Sequence, residues 1–445
     1  MKKQRILILA LSLLPSFGGV GGGLLFAQNG INSPYSRYGF GMMADRAMGF
    51  NKAMGGVAQG FRDGQQINVG NPASYSAVDS LTALFDLGLS IFNGNYKMGN
   101  MQQNAKNASF DYFAFQFRAK RGLGVTLGLL PYTNISYNFT SPATTVSGSE
   151  SITSTNTFTG SGGLHQVFIG AGWQPIRGFS LGANASYLFG DYTHTSANTF
   201  NQSTAFSLQR TYSADIATYK LDFGMQLTLP LTKKDELTIG ATYGLGHDIN
   251  NQAIRTTQTS NTSVTNVSGD TLRNAFQLPH SIDVGIAWKH TTKWRVGADF
   301  SLEKWGDARF PSDISGTYTS TKGQLNDRMK ISLGGEYTPD AVGRKLLQYT
   351  SYRFGGWYSQ SYARTGTLSD KPYEYGITAG FSIPIRNRHV WYNSPRLNVA
   401  FQWVHSDIPY LSSQTGLKNT LTENYLRLSV GLTFSERWFT KWRVQ

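Results

Sequence analysis

Gly178-Phe179-Ser180-Leu181-Gly182 is the string in this 445-residue chain that most invites a chemical reading. G-x-S-x-G presents a serine nucleophile where a strand turns sharply into a helix. Here the five residues lie inside a longer run of strand-period alternation, and no helical pattern follows. Ser180 therefore reads as an ordinary strand residue. The seven histidines (His165, His194, His247, His280, His290, His389 and His405) never stand at i, i+4, and none lies in an H-E-x-x-H string, so a helix-borne zinc site is not expected. The absence of cysteine removes disulfides, thiolate nucleophiles and Cys-based metal sites. Neither a P-loop nor a dinucleotide fingerprint occurs. Asp86, Arg118, Asp222, Asp283, Arg295, Asp299, Lys330 and Glu336 share the polar face of their strands and read as partners for one another or for an enclosed segment. The expectation is no enzyme: no catalytic residue, no metal and no cofactor.

The elements that carry these residues are strands with one apolar face. Leu221, Phe223, Met225, Leu227 and Leu229 alternate with Asp222, Gly224, Gln226 and Thr228, and Leu426, Leu428, Val430, Leu432 and Phe434 do the same near the C-terminus. Fourteen such segments follow one another at about 81–93, 109–119, 123–139, 164–174, 178–190, 212–230, 236–247, 280–289, 293–304, 328–338, 349–360, 373–386, 395–406 and 424–436. Each is about as long as a tilted membrane-spanning strand, or longer. An even number of strands, each with one apolar face, suits an all-β, antiparallel transmembrane barrel, because closure leaves no edge unpaired in lipid. Charged residues make up only 15% of the chain, against about a quarter in ordinary soluble domains.

The connections alternate in length. Short turns at 120–124, 174–178, 231–236 and 289–293 oppose long Ser/Thr/Asn-rich stretches near 141–162, 191–211, 248–279, 305–327, 361–372 and 407–423. Short periplasmic turns and long external loops are the habit of bacterial barrels. Trp173, Trp288 and Trp294 stand near the short-turn ends, where an interfacial girdle belongs. The net charge of +14 is spread over that rim, through Lys120, Arg121, Arg177, Lys233, Lys234, Lys289 and Lys293, so no nucleic-acid partner is expected. Residues 1–27 combine Lys2, Lys3 and Arg5 with an uncharged apolar run, the pattern of a secretory signal cut between Ala27 and Gln28. The chain divides into a signal peptide (1–27), a segment without long strand patterns (28–80) and the barrel (81–445).

Glycines recur on the face opposite the apolar one: Gly88, Gly128, Gly170, Gly182, Gly224, Gly240, Gly285, Gly297, Gly334, Gly355, Gly380 and Gly431. So bare a waist suggests close approach of another backbone, and residues 28–80 are the stretch available to fill it. That stretch contains Ala53-Met54-Gly55-Gly56 and then Asn71-Pro72-Ala73, and in this position it resembles the hatch of the FadL family of outer-membrane transporters for hydrophobic compounds. The resemblance covers essentially the whole chain. It implies a 14-stranded barrel with an N-terminal plug, or hatch, in its lumen, placed in the outer membrane of a Gram-negative bacterium. It further implies a fatty-acid-like hydrophobic ligand gated by Ala53, Met54, Gly55, Gly56, Asn71, Pro72 and Ala73. Sideways release needs a break in the wall, and Pro131, followed by Asn134, is the candidate, facing the hatch around Asn71-Pro72-Ala73. The expected partners are outer-membrane lipid and that ligand. The alternative is a non-transporting barrel that docks a protein in a surface or secretion complex, the use that the PorV-like branch of the family resembles.

Overall fold

The computed structural model describes residues 32–437, apart from 100, 148–149, 203–204, 315, 366–370, 386–394 and 412–417. The expected signal peptide and its expected cleavage point lie outside the described residues. Fourteen strands form the wall, one for each alternating segment. They are β1 (Thr82–Met98), β2 (Met101–Lys120), β3 (Leu123–Pro131 and Thr133–Ser147), β4 (Glu150–Ile176), β5 (Phe179–Phe200), β6 (Ser207–Pro230), β7 (Asp235–Gly244), β8 (Ser281–His290), β9 (Trp294–Glu303), β10 (Arg328–Tyr337), β11 (Ser351–Gln360), β12 (Tyr373–Pro384), β13 (Arg396–Leu411) and β14 (Lys418–Arg437). Each pairs antiparallel with its neighbours in the chain, and β14 returns to β1 with Gly431 opposite Gly88. That seam closes the barrel.

The apolar faces point outward. Phe223, Met225, Leu227 and Leu229 are exposed, while Gln226 between them is buried. Trp173, Trp288 and Trp294 are exposed at the short-turn end, as a girdle requires. For a surface in lipid this exposure is burial in another solvent, with every ladder bond made within the ring.

The long connections differ from the expectation of loops. Residues 150–163 and 191–200 continue β4 and β5, while 253–260 pairs with 265–272 and also with the outer part of β6. Phe310–Ile314 and Thr317–Thr321 form a further hairpin. Apolar alternation stops where lipid stops, but threonine-rich sequence continues to favour extended backbone in water. The strands therefore outrun the hydrophobic signal.

Residues 32–81 run through the inside of this ring as short 3-10 turns (Pro34–Arg37, Lys52–Met54, Pro72–Ala77) and a two-residue strand, Met42–Met43. Side chains of this segment and of the wall make an inner apolar cluster that includes Met54, Val57, Phe61, Ile67, Tyr75 and Tyr112. A second cluster joins Phe40 to Tyr132, Tyr192, Phe276, Trp305 and Tyr362 and caps the end that carries the long hairpins. There, Phe40 meets Phe310 edge-on at 5.1 Å, and Trp305 lies 4.9 Å from Tyr362.

Candidate functional site

The residues singled out in the sequence occupy three places along the lumen. Ala53, Met54 and Gly55 lie against the inward glycines of β10, β11 and β12. A Cβ on Gly334 or Gly355 would run into the backbone of Met54, and one on Gly380 would meet Ala53. Gly55 ends the Lys52–Met54 turn in the left-handed conformation (φ +66°) and donates its N–H to Thr378 Oγ1 at 2.9 Å. A Cβ there would come 2.6 Å from the Gly356 oxygen and 2.8 Å from that of Leu333. Gly56 (φ +80°) faces roomier space, where a Cβ would stand 3.6 Å from Lys330 Nζ. Bare glycine on both sides is what lets backbone meet backbone here.

Asn71, Pro72 and Ala73 sit across the lumen. Asn71 accepts from its own Ala73 N–H (3.1 Å) and donates to the carbonyls of Gln59 (3.0 Å) and Met225 (3.1 Å). Pro72 and Ala73 press on Gly182 and Gly224. These bonds turn a loop into a fixed structure fastened to β6. Asp299 contributes from β9, its Oδ2 accepting from Ala58 N (2.6 Å) and Gln59 N (3.0 Å). Gly88, Gly128 and Gly285 make room instead for wall side chains: Tyr112, Phe168 and Asp299 respectively.

Pro131 ends the first part of β3, and the strand is interrupted at Tyr132, whose N–H still donates to the Leu164 oxygen of β4 at 2.7 Å. The stretch facing this break is Met42–Ala44, not Asn71-Pro72-Ala73. Met42 pairs with Asn134, Met43 with Thr133, and Ala44 N donates to the Tyr132 oxygen at 3.0 Å. The reason is the order of the chain, which threads Gly41–Ala44 past the break before descending to the waist. Beyond it, β2 and β3 part. The inner half of β2 pairs with Leu123–Leu129, whereas among the described residues no ladder joins Met101–Tyr112 to Thr133–Ser147. Asn32 stands in that opening, within 3.4 Å of Asn107 on β2 and 3.1 Å of Ser136 on β3. The neighbouring strand bends too, with Gly163 (φ +144°) where a side chain would strike the Thr133 oxygen.

Asp111 and Tyr112 were not singled out in the sequence. A bulge in β2 opposite Gly88 and Leu89 points both inward, one after the other. Asp111 pairs with the buried Lys52, and Tyr112 Oη accepts from Gly49 N (2.7 Å) while donating to Asp86 (3.0 Å). The signal was present in Phe110-Asp111-Tyr112-Phe113, where two outward aromatics stand three residues apart instead of two.

Between the waist and the aromatic cap is a chamber of about 160 Å³, walled by Asp45, Arg46, Lys52, Asp111, Glu303, Arg328, Lys330 and Arg427 among others, with Pro131 and Asn134 at one side. Arg328 pairs with Glu303 at 3.0 Å. Below the waist, Arg295 holds Asp63 at 2.5 Å and Glu336 at 3.1 Å, and Arg353 joins Glu336 (2.7 Å) to Gln66 (3.1 Å). Asp86, Asp299, Arg295 and Glu336 thus all bond within the lumen, and Ser180 accepts from Arg62 at 2.8 Å.

The sequence matches the BamG family over residues 7–445. The chain belongs to the BamG family. Solved structures add the likeness of fold. The BamG-family barrel is similar to the CymD monoaromatic hydrocarbon channel, with a TM-score of 0.56 and 15% identity over 91% of this chain and 100% of that one. It is also similar to a Pseudomonas aeruginosa FadL homologue (TM-score 0.59, 12% identity, 88% and 99% covered) and to the Pseudomonas putida toluene transporter TodX (TM-score 0.56, 16% identity, 89% and 99% covered). The FadL-like fold read from the sequence is thus the fold of this BamG-family chain. No curated relative matches the sequence.

Proposed function

We propose that this BamG-family barrel is a docking subunit of the outer membrane, its N-terminal segment a hatch that stays shut, and that it holds a protein partner rather than conducting small molecules. The observation that carries this reading is the chamber. Small-molecule sites occupy roughly 300–1,000 Å³ and are mostly apolar, whereas this one measures about 160 Å³ and is walled by charge. An apolar ligand burying on the order of 200 Å² gains about 5 kcal/mol at roughly 25 cal/mol per Å². Stripping water from even one of the facing ions costs several kcal/mol. The balance disfavours a hydrocarbon among Asp45, Arg46, Lys330 and Arg427.

The barrel, solubilised from its native membrane in mild detergent and analysed by mass spectrometry, should carry a stoichiometric protein and no stoichiometric apolar molecule. A fatty acid or monoaromatic compound at one per barrel, with no protein, would overturn the reading. One observation favours a second, transport reading: the parting of β2 from β3 at the Pro131 break, a sideways exit that Asn32 and Met42–Ala44 would have to vacate. Under that reading the bound compound is lost on substituting Asn71 or Ala73, and its structural neighbours' handling of monoaromatic hydrocarbons and toluene would extend to this chain.

A further inference from the structure

We infer that the short-turn mouth of the barrel carries a binding cleft for an extended acidic segment of a periplasmic protein; the inference rests on the docking reading and says where that partner is held. A cleft of about 660 Å³ opens there between the foot of the N-terminal segment (Ser76–Asp79) and the turns β2–β3 and β4–β5. Four arginines line it. Arg62 is fixed, donating to Ser76 Oγ (3.0 Å), Ser180 Oγ (2.8 Å) and Gln174 (3.3 Å), and Arg118 is fixed on Ser80 Oγ (2.5 Å). Arg121 and Arg177 are exposed on adjacent turns, and among the described residues neither has an ion-pair partner. Two acids, Asp79 and Glu236, share the lining, so the cleft keeps a cationic excess.

Three features select the occupant. The two turns are tied by backbone bonds, Gln174 N donating to the Gly122 oxygen (2.8 Å) and Thr228 N to that of Gly178 (2.6 Å), so both exposed guanidiniums stand on hydrogen-bonded turns. Paired carboxylates are the natural match for such forks. Ile176, 66% exposed at the end of β4, is an apolar member of the lining next to Arg177, which suits a peptide with alternating acidic and apolar side chains. The floor of the cleft is the N-terminal segment itself, so the site faces the lumen axis, whereas lipid head groups meet the outer face of the wall. A protein segment fits this placement and a membrane surface does not.

The test uses the whole barrel in detergent and a fluorescein-labelled peptide of four glutamates and two leucines as probe. The probe should bind at low salt, weaken as salt rises, and bind at least about tenfold more weakly to Arg121→Glu/Arg177→Glu. Lys233→Glu/Lys234→Glu, which makes the same charge change elsewhere on the rim, should alter binding less than about twofold; strand content by circular dichroism certifies that both variants are folded. Equal loss in the two variants would mean attraction to net charge alone and would overturn the inference. So would loss of binding to anionic phospholipid vesicles, with peptide binding intact, in the arginine variant. A native partner that stays bound to the arginine variant also overturns it while leaving the docking reading in place. The absence of any partner from the unaltered barrel removes the docking reading, whatever the peptide does.

Discussion

Lys52 and Asp111 show what a single side chain can fasten in a lumen. Both are buried and each is the other's counter-ion. Asp111→Ala would leave a buried ammonium without its partner and should cost about 3–5 kcal/mol in urea unfolding monitored in detergent, whereas replacing both residues by apolar ones of similar size should cost far less. The pair of glycines at the end of the same turn makes a sharper comparison. Gly55→Ala adds a methyl against two wall carbonyls in a left-handed backbone and should destabilise by about 2–4 kcal/mol. Gly56→Ala carries the left-handed penalty alone and should cost about 1–2 kcal/mol in the same assay. An order reversed between the two would mean that the segment is not pressed on β11 as described. The string Ala53-Met54-Gly55-Gly56 was conspicuous in the sequence, but which glycine could not yield was not, because that depends on the Gly356 and Leu333 oxygens brought from distant parts of the chain.

At the scale of elements, the strands were legible because lipid imposes an apolar residue at every second position, as in Phe223, Met225 and Leu227. Their outer extensions were not, since Thr157, Thr159, Thr195 and Thr211 meet water on one or both faces and carry no such constraint. The break at Pro131 was legible from proline's missing donor, yet the piece of chain that fills it was not: Met42 and Met43 have no strand pattern of their own and borrow extended geometry from Asn134 and Thr133. The parting of β2 from β3 has a measurable signature. Along Gln102–Phe110 every second amide points to β1 and is bonded, while its neighbours point to the opening. Hydrogen exchange followed by NMR in detergent should therefore alternate slow and fast along this stretch, and be uniformly slow along Leu181–Phe189 of β5, which is paired on both sides. Uniform protection of Gln102–Phe110 would mean that the seam is sealed.

For the molecule as a whole, the N-terminal segment is tied to the wall by ions and amides as well as by apolar contact. Asp63, in the segment, illustrates how such ties respond to acid: burial pushes its carboxyl up, and Arg295 and Arg396 more than reverse this, holding it well below the usual carboxylate range. A depressed value in the folded state means that its contribution is present above about pH 4, the ordinary aspartate value, and is lost only as pH falls further. The Asp63 tie should accordingly hold from pH 8 to about pH 5 and loosen only in stronger acid, so the difference in limited proteolysis of the segment between the unaltered barrel and Asp63→Asn should stay constant over that range and shrink below it. The inward glycines had announced that something fills the barrel, while the charged chamber above them was hidden in residues spread from Asp45 to Arg427 that no local pattern groups. The waist also has a consequence for the order in which the protein is made. Where Met54 lies on Gly334 and Gly355, and Pro72 on Gly182, the space between segment and wall is too small for the segment to be threaded in afterwards. The segment at the waist must therefore be in place before β14 meets β1, and the finished ring is wound around it.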